Sequence, residues 1–249
     1  MIIVKQLSYR VPSGSILRRI DLHVRKGETM AVMGMSGAGK STLLKCIAGL
    51  LRPTGGQLLI DGVDIARMRE SQLDDIRRRI GMVFQYAALF DSLTVFENVA
   101  FGLRRHTRMT ESEITDVVMA RLAMVGLAHT ESKMPSEMSG GMQKRVGLAR
   151  ALAMNPEILL YDEPTAGLDP ITAATIAELI IKARDELGVT SVLVSHDIQS
   201  IMSVSSRVAM IHKGRIIASG TTEEMQNCED ATVKQFMRGE TQGPIHVTE

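Results

Sequence analysis

Asp162 and Glu163 stand side by side after the apolar run 158–161, and two acids in that place can divide a hydrolytic task. Asp162 can hold a divalent cation through water, and Glu163 can polarise an attacking water. Such chemistry needs a held phosphate, and residues 34–41 supply the means: G-M-S-G-A-G-K-S fits the pattern G-x-x-x-x-G-K-[ST]. The glycines let the backbone fold so that successive N–H groups point inward. Lys40 adds a point charge for β and γ phosphates, and the Ser41 hydroxyl can ligate Mg²⁺. The plainer readings are a glycine-rich turn with a stray lysine and an acidic strand end that caps the next turn. An apolar strand before the loop and a helix after it favour the phosphate site.

Ser139-Gly140-Gly141 precedes a basic helix, 142–152, that carries Lys144, Arg145 and Arg150. A serine and two glycines at a helix N-terminus make a donor-rich anion site favoured by the helix dipole. The chain therefore owns two γ-phosphate sites but one nucleotide loop. The economical arrangement is a homodimer in which each S-G-G closes the partner's nucleotide site. His196 alone would be an ordinary structural histidine. It ends an apolar strand expected beside that of Asp162, where its ring could reach the γ-phosphate and Glu163. Gln85, after Met82-Val83-Phe84, is a weaker signal, since glutamines are common and mostly solvated.

These residues need a frame. Residues 29–33 form a short apolar strand that delivers the chain to Gly34, and 41–51 read as a helix whose N-terminus faces the loop. Buried strands at 158–161 and 190–194 end at Asp162 and at Ser195-His196. Chemistry at the carboxyl ends of strands means a mostly parallel α/β sheet. Within 85–155 the period turns helical, with Ile114, Val117, Val118, Leu122 and Val125 forming one stripe of 111–125. Stretches 2–24 and 57–65 alternate between turn signals and read as antiparallel strands. A hairpin turning at Lys213-Gly214, helices near 222–226 and 232–238, and a Gly-Pro tail follow. The organisation is one domain over 1–249, with a core lobe at about 1–85 and 156–230, a helical lobe at about 86–155 and a tail at about 235–249.

Bulk properties exclude other classes. With 29 Lys+Arg against 28 Asp+Glu the net charge is +1, whereas a DNA binder neutralises about 6–10 phosphates. Nucleic acid is not an expected partner. No uncharged apolar run approaches the ~18 residues of a membrane span, and the first residues lack the apolar stretch of a signal peptide, which points to a soluble, cytoplasmic chain. Cys46 and Cys228 lie far apart without metal-like spacing and read as reduced and incidental. The 17 methionines read as adaptable core filler, and 3% aromatics with no tryptophan offers no stacking platform for bases.

Together these motifs resemble the ATP-binding subunit of an ABC transporter along the whole chain. The resemblance places Walker A at Gly34, Met35, Ser36, Gly37, Ala38, Gly39, Lys40, Ser41 and Thr42, and the Q-loop at Gln85. It places the signature at Ser139, Gly140, Gly141 and Met142, Walker B at 158–163, the D-loop with Asp169 at 166–169, and the switch histidine at His196. It implies a P-loop NTPase (RecA-like) fold with an inserted helical subdomain. It also implies ATP with Mg²⁺ held by Ser41, Gln85 and Asp162, Glu163 and His196 as catalytic residues, and two ATPase subunits on two integral-membrane permeases. Residues 85–90 would receive the permease's coupling helix.

The stretches 84–99, 134–142, 162–172 and 235–245 are similar to the narrower Mla-type, MCE-associated group. That group implies phospholipid transport between the inner and outer membranes, with an MCE lipid-binding partner, from the cytoplasmic face of a bacterial inner membrane. Met138 and Met142 replace the usual leucine and glutamine of the signature. The aromatic that usually stacks on adenine falls near Val11, with Tyr9 two residues early. An importer subunit for an amino acid, a metal or another polar solute shares every catalytic motif. A soluble ABC protein acting on DNA or ribosomes would need a second cassette or a coiled-coil insertion, and neither is present.

Overall fold

The computed structural model describes residues 1–246. In chain order these form β1 (Ile2–Val11), β2 (Gly14–Val24), β3 (Thr29–Met33), α1 (Lys40–Ile47), β4 (Gly55–Ile60) and β5 (Val63–Asp64). Next come α2 (Glu70–Arg78), β6 (Ile80–Val83), α3 (Val95–His106), α4 (Glu111–Met124), α5 (Gly140–Ala153), β7 (Ile158–Asp162) and α6 (Pro170–Leu187). Then follow β8 (Thr190–Ser195), α7 (Ile198–Val204), β9 (Arg207–His212), β10 (Arg215–Thr221), α8 (Thr222–Gln226) and α9 (Ala231–Arg238). The elements fall into two compact units, Met1–Met68 with Val192–Glu249, and Arg69–Ser191.

In the first unit, alternation in β1 and β2 buries Ile2, Val4 and Leu7 with Leu17, Ile20, Leu22 and Val24. β1 runs antiparallel to β2 and to β4, with Ile2 opposite both Val24 and Ile60, giving the order β2-β1-β4-β5. The Asp61-Gly62 turn between β4 and β5 has both residues at positive φ, 49° and 83°, the conformation that suits a tight hairpin. Every residue of β3 is buried, and β3 lies between β8 and β9 with β10 outermost. β3 and β9 are parallel, with Met33 opposite Met210, while β9 and β10 form the hairpin expected at Lys213-Gly214.

Helix α1 is shorter than the expected 41–51. It starts at Lys40 and ends at Ile47, because Gly49 turns left-handed (φ 68°) and the N–H groups of Leu50 and Leu51 fold back to the Lys45 carbonyl at 2.9 and 3.1 Å. Cys46, on its inner face, is free, and burial pushes its thiol up to about 12, which suits an unreactive reduced cysteine. The tail has neither helix nor strand between Glu240 and His246, as its composition suggests, yet it is held on its own chain. The buried Gln235 side chain accepts from the Ile245 N–H at 2.7 Å and donates to the carbonyls of Ile245 and Glu240 at 3.0 and 3.3 Å. Ile245 is buried by this clamp. Val247, another apolar tail residue, lies outside the described residues.

The second unit sets two parallel strands, β6 and β7, with helices α2 to α6. Thr94 with Glu97 and Thr110 with Glu113 form reciprocal capping boxes that start α3 and α4, each cap worth about 1 kcal/mol. α4 buries Ile114, Val118 and Leu122, as the periodicity predicts. The signature helix α5 begins two residues before the expected 142, since Ser139 caps it: its Oγ accepts the Met142 N–H at 3.3 Å. Gly141 allows α5 to approach α6, where a Cβ would come within 2.4 Å of Thr172 Cγ2.

Candidate active site

The phosphate loop lies wholly in the first unit, and β3 delivers it as expected. Gly34 must be glycine, since its φ is 155° and a Cβ would come within 2.3 Å of the Ile211 carbonyl oxygen. Lys40 is buried, and its Nζ donates to the carbonyls of Gly34 at 2.8 Å and Met35 at 3.2 Å, which curls the loop around the ammonium. Ser36 and Gly37 are exposed at the loop tip, Ala38 and Gly39 are buried beneath it, and Ser41 and Thr42 are half-buried in the first turn of α1. α1 has no acidic residue in its first turn, so no carboxylate there opposes an anion at the positive end of the helix. Tyr9 and Val11 are both half-buried on β1. The exposed His196 follows β8, and Asp197 caps α7 by accepting the Gln199 and Ser200 N–H groups.

The remaining candidates lie in the second unit. In the parallel pair Val83 stands opposite Tyr161, so Phe84-Gln85 and Asp162-Glu163 leave the sheet at the same edge. Asp162 and Glu163 are buried, at 8% and 7% exposure, which is uncommon for carboxylates and points to polar partners nearby. Glu163 has φ 49°, a left-handed conformation that costs a residue with a side chain about 1–2 kcal/mol and persists only where its surroundings enforce it. Asp169 caps α6, accepting from the N–H groups of Ile171 and Thr172 at 3.0 Å and from Thr172 Oγ1 at 2.6 Å. Those bonds hold its carboxyl below the usual range.

Helix α5 gathers these loops. Its Arg150 donates from both terminal nitrogens, at 2.7 Å each, to the carbonyls of Ala87 and Ala88, just past Gln85. Both alanines are left-handed (φ 57° and 48°), so the fork of one guanidinium secures two strained residues. Six residues earlier, the buried Lys144 donates to the carbonyls of Pro164 at 3.0 Å and Ala166 at 2.5 Å, just past Glu163. In the sequence both are simply basic residues of a helix. A lysine and an arginine on a helix whose 146–149 segment is fully buried were the available signal. Arg150→Lys should cost about 1–3 kcal/mol in denaturant unfolding, because an ammonium cannot span both carbonyls. Amide exchange in 85–90 should rise with it, and unchanged protection there would show that the loop does not depend on the fork.

An apolar face also stands in this unit. Tyr86, Phe90 and Phe101 are exposed, the rings of Phe90 and Phe101 meet tilted at 38° with centroids 4.7 Å apart, and Leu93, Glu97, Phe101, Arg104 and Arg105 line a cleft of about 450 Å³.

A glycine-lined phosphate loop on a buried strand and an acidic pair at the end of another define the class, a P-loop nucleotide-binding ATPase. Residues 17–166 match the ABC transporter family, and the chain belongs to that family. It is 42% identical over 245 residues to the intermembrane phospholipid transport system ATP-binding protein MlaF of Haemophilus influenzae, spanning 98% of this chain and 93% of the relative. The MlaF of Escherichia coli K12 is 40% identical, with 97% and 90% covered. A probable ribonucleotide transport ATP-binding protein, mkl, of Mycobacterium tuberculosis is 41% identical, with 99% of this chain and 68% of the relative covered. Among solved structures, the ATP-binding cassette MJ0796, a dimer in a post-hydrolysis state with ADP and Pi, superposes with a TM-score of 0.83 at 35% identity, covering 89% of this chain and 99% of that one. The cbiO1 cassette of Clostridium perfringens gives 0.84 at 32%, covering 96% and 94%. The protein is an ATPase of the ABC type, with the mostly parallel α/β fold of that class. No helix among the described residues is long and apolar enough to cross a membrane.

Proposed function

We propose that this chain hydrolyses ATP to drive phospholipid between the inner and outer membranes of a bacterium and so sustain outer-membrane lipid asymmetry. It works as a homodimer on the cytoplasmic face of the inner membrane, with two copies of an integral-membrane permease and an MCE lipid-binding protein. The observation that carries the cargo is the match to a phospholipid transport ATPase over 98% of this chain and 93% of the relative. The mycobacterial relative of similar identity is longer, with 68% of it covered, and its name raises ribonucleotide as the second reading.

In this reading residues 34–42 wrap the phosphates, with Lys40 on the β and γ groups. Ser41, Gln85 and Asp162 hold Mg²⁺. Their hydroxyl, amide and carboxylate oxygens are the hard donors that ion prefers. When bound, the ion neutralises charge on the phosphates. Glu163 polarises the attacking water and His196 contacts the γ-phosphate. Ser139, Gly140, Gly141 and Met142 close the partner's nucleotide, beside the D-loop Asp169. The exposed aromatic face at Phe90 and Phe101 receives the permease, since an apolar patch of this kind marks a binding surface.

Affinity purification of the complex from native membranes, with its proteins and extracted lipids identified, tests the cargo. A permease, an MCE protein and phospholipid are expected to co-purify. A polar-solute-binding protein in their place, or turnover stimulated by ribonucleotide, would overturn the lipid assignment.

A further inference from the structure

We infer that Lys144 is a positioning residue for hydrolysis: from the helix that begins at S-G-G, its ammonium grips the backbone just past Glu163 and so sets where the Glu163 carboxylate stands. The inference rests on Glu163 as the residue that polarises water.

Lysine is almost never buried unless its charge is met by partners, and Lys144 is 7% exposed. Its partners are main-chain oxygens, Pro164 at 3.0 Å and Ala166 at 2.5 Å, with the Glu163 charge close enough to oppose the effect of burial on the ammonium. The gripped segment is short and tight: the Ala166 N–H bonds the Glu163 carbonyl at 3.2 Å, and the Leu168 N–H bonds the Thr165 carbonyl at 3.2 Å. At its head Glu163 occupies the left-handed region at φ 49°, where a glutamate does not stay without constraint. Two carbonyls bound to one buried cation supply that constraint. The cation is itself rooted in a helix with Val146, Gly147, Leu148 and Ala149 buried, so the loop inherits the rigidity of α5. Release of the grip would let φ at Glu163 relax and swing the carboxylate, and a misplacement of ~1 Å can cost about a hundredfold in rate. Phosphate binding should be spared, because the carbonyls that Lys144 grips belong to the segment after Glu163 and not to the 34–42 loop.

The test is Lys144→Met, which keeps the aliphatic stem and removes the donor, assayed in the purified membrane complex. kcat should fall by at least about tenfold, with KM for ATP and binding of a non-hydrolysed analogue unchanged within about twofold. In the Glu163→Gln background the same change should add almost nothing, because a misplaced carboxylate that is already gone cannot be lost again. If Lys144→Met does not assemble, Lys144→Gln, which keeps an uncharged donor, is read the same way and should show a smaller loss. A kcat within about twofold of the parent, or a loss that multiplies fully with Glu163→Gln, would overturn the assignment. Glu163→Gln inactive with Lys144→Met active removes Lys144 alone, whereas Glu163→Gln fully active removes the reading of Glu163.

Discussion

Glu163→Gln is expected to bind ATP as the parent does and to hydrolyse it at least about a hundredfold more slowly, the usual loss when a general base is removed. The amide preserves size and the buried setting, so the strained backbone and its Lys144 clamp should survive and the fold with them. What disappears is the negative oxygen proposed to orient and polarise water. ATP held but not spent should trap the dimer, visible as an ATP-dependent shift in size-exclusion chromatography. A variant that still turns over at about a tenth of the parent rate would show that another residue positions the water.

The second large effect concerns the sharing of sites. Each chain carries one phosphate loop and one S-G-G, and Ser139 caps a helix whose next residue, Gly140, is exposed with open space beside it, a surface fit for an incoming phosphate. If that phosphate belongs to the partner's nucleotide, Lys40→Ala and Ser139→Arg each inactivate a homodimer but complement each other when mixed. One composite site then carries both lesions and the other carries none. Hydrolysis should return to as much as about half per complex if the sites act independently, and to less if they are coupled. A cysteine at Ser139 should also crosslink to a γ-phosphate-reactive ATP analogue held by a differently tagged partner with intact Lys40. Labelling confined to the chain that holds the nucleotide would refute the shared site.

The candidates found from sequence were legible because each is a local pattern with a local cause. Gly34 to Ser41 encodes its own loop, with glycines where the backbone turns and comes close to its neighbours, and a lysine within reach of the carbonyls at 2.8 and 3.2 Å that it curls around. Apolar runs before Gly34, Asp162 and His196 announced buried strands, and residues 29–33, 158–162 and 190–195 are strands. Ser139 before two glycines announced a helix start, whereas Asp169, placed by the resemblance, proved in the structure to cap α6. Where the pattern blurred, the reading slipped at the ends: α1 stops at Ile47 because Gly49 admits a left-handed turn that hydrophobic periodicity does not register.

The identity of the chemistry was thus set by residue types at short spacing: the phosphate loop, the acidic pair, the S-G-G helix cap and the class of sheet beneath them. The positions of the backbone around the candidate site were decided only by the tertiary structure. Lys144 meets its carbonyls 20 and 22 residues along the chain, and Arg150 meets its own 62 and 63 residues away. Gln235 likewise reaches 10 residues to pin a tail that has neither helix nor strand. These bonds end on main-chain groups, which nearly every residue carries alike, so no residue type marks the partner. A cation's choice among identical carbonyls depends on which loop the packed helix brings within 3 Å and strips of water.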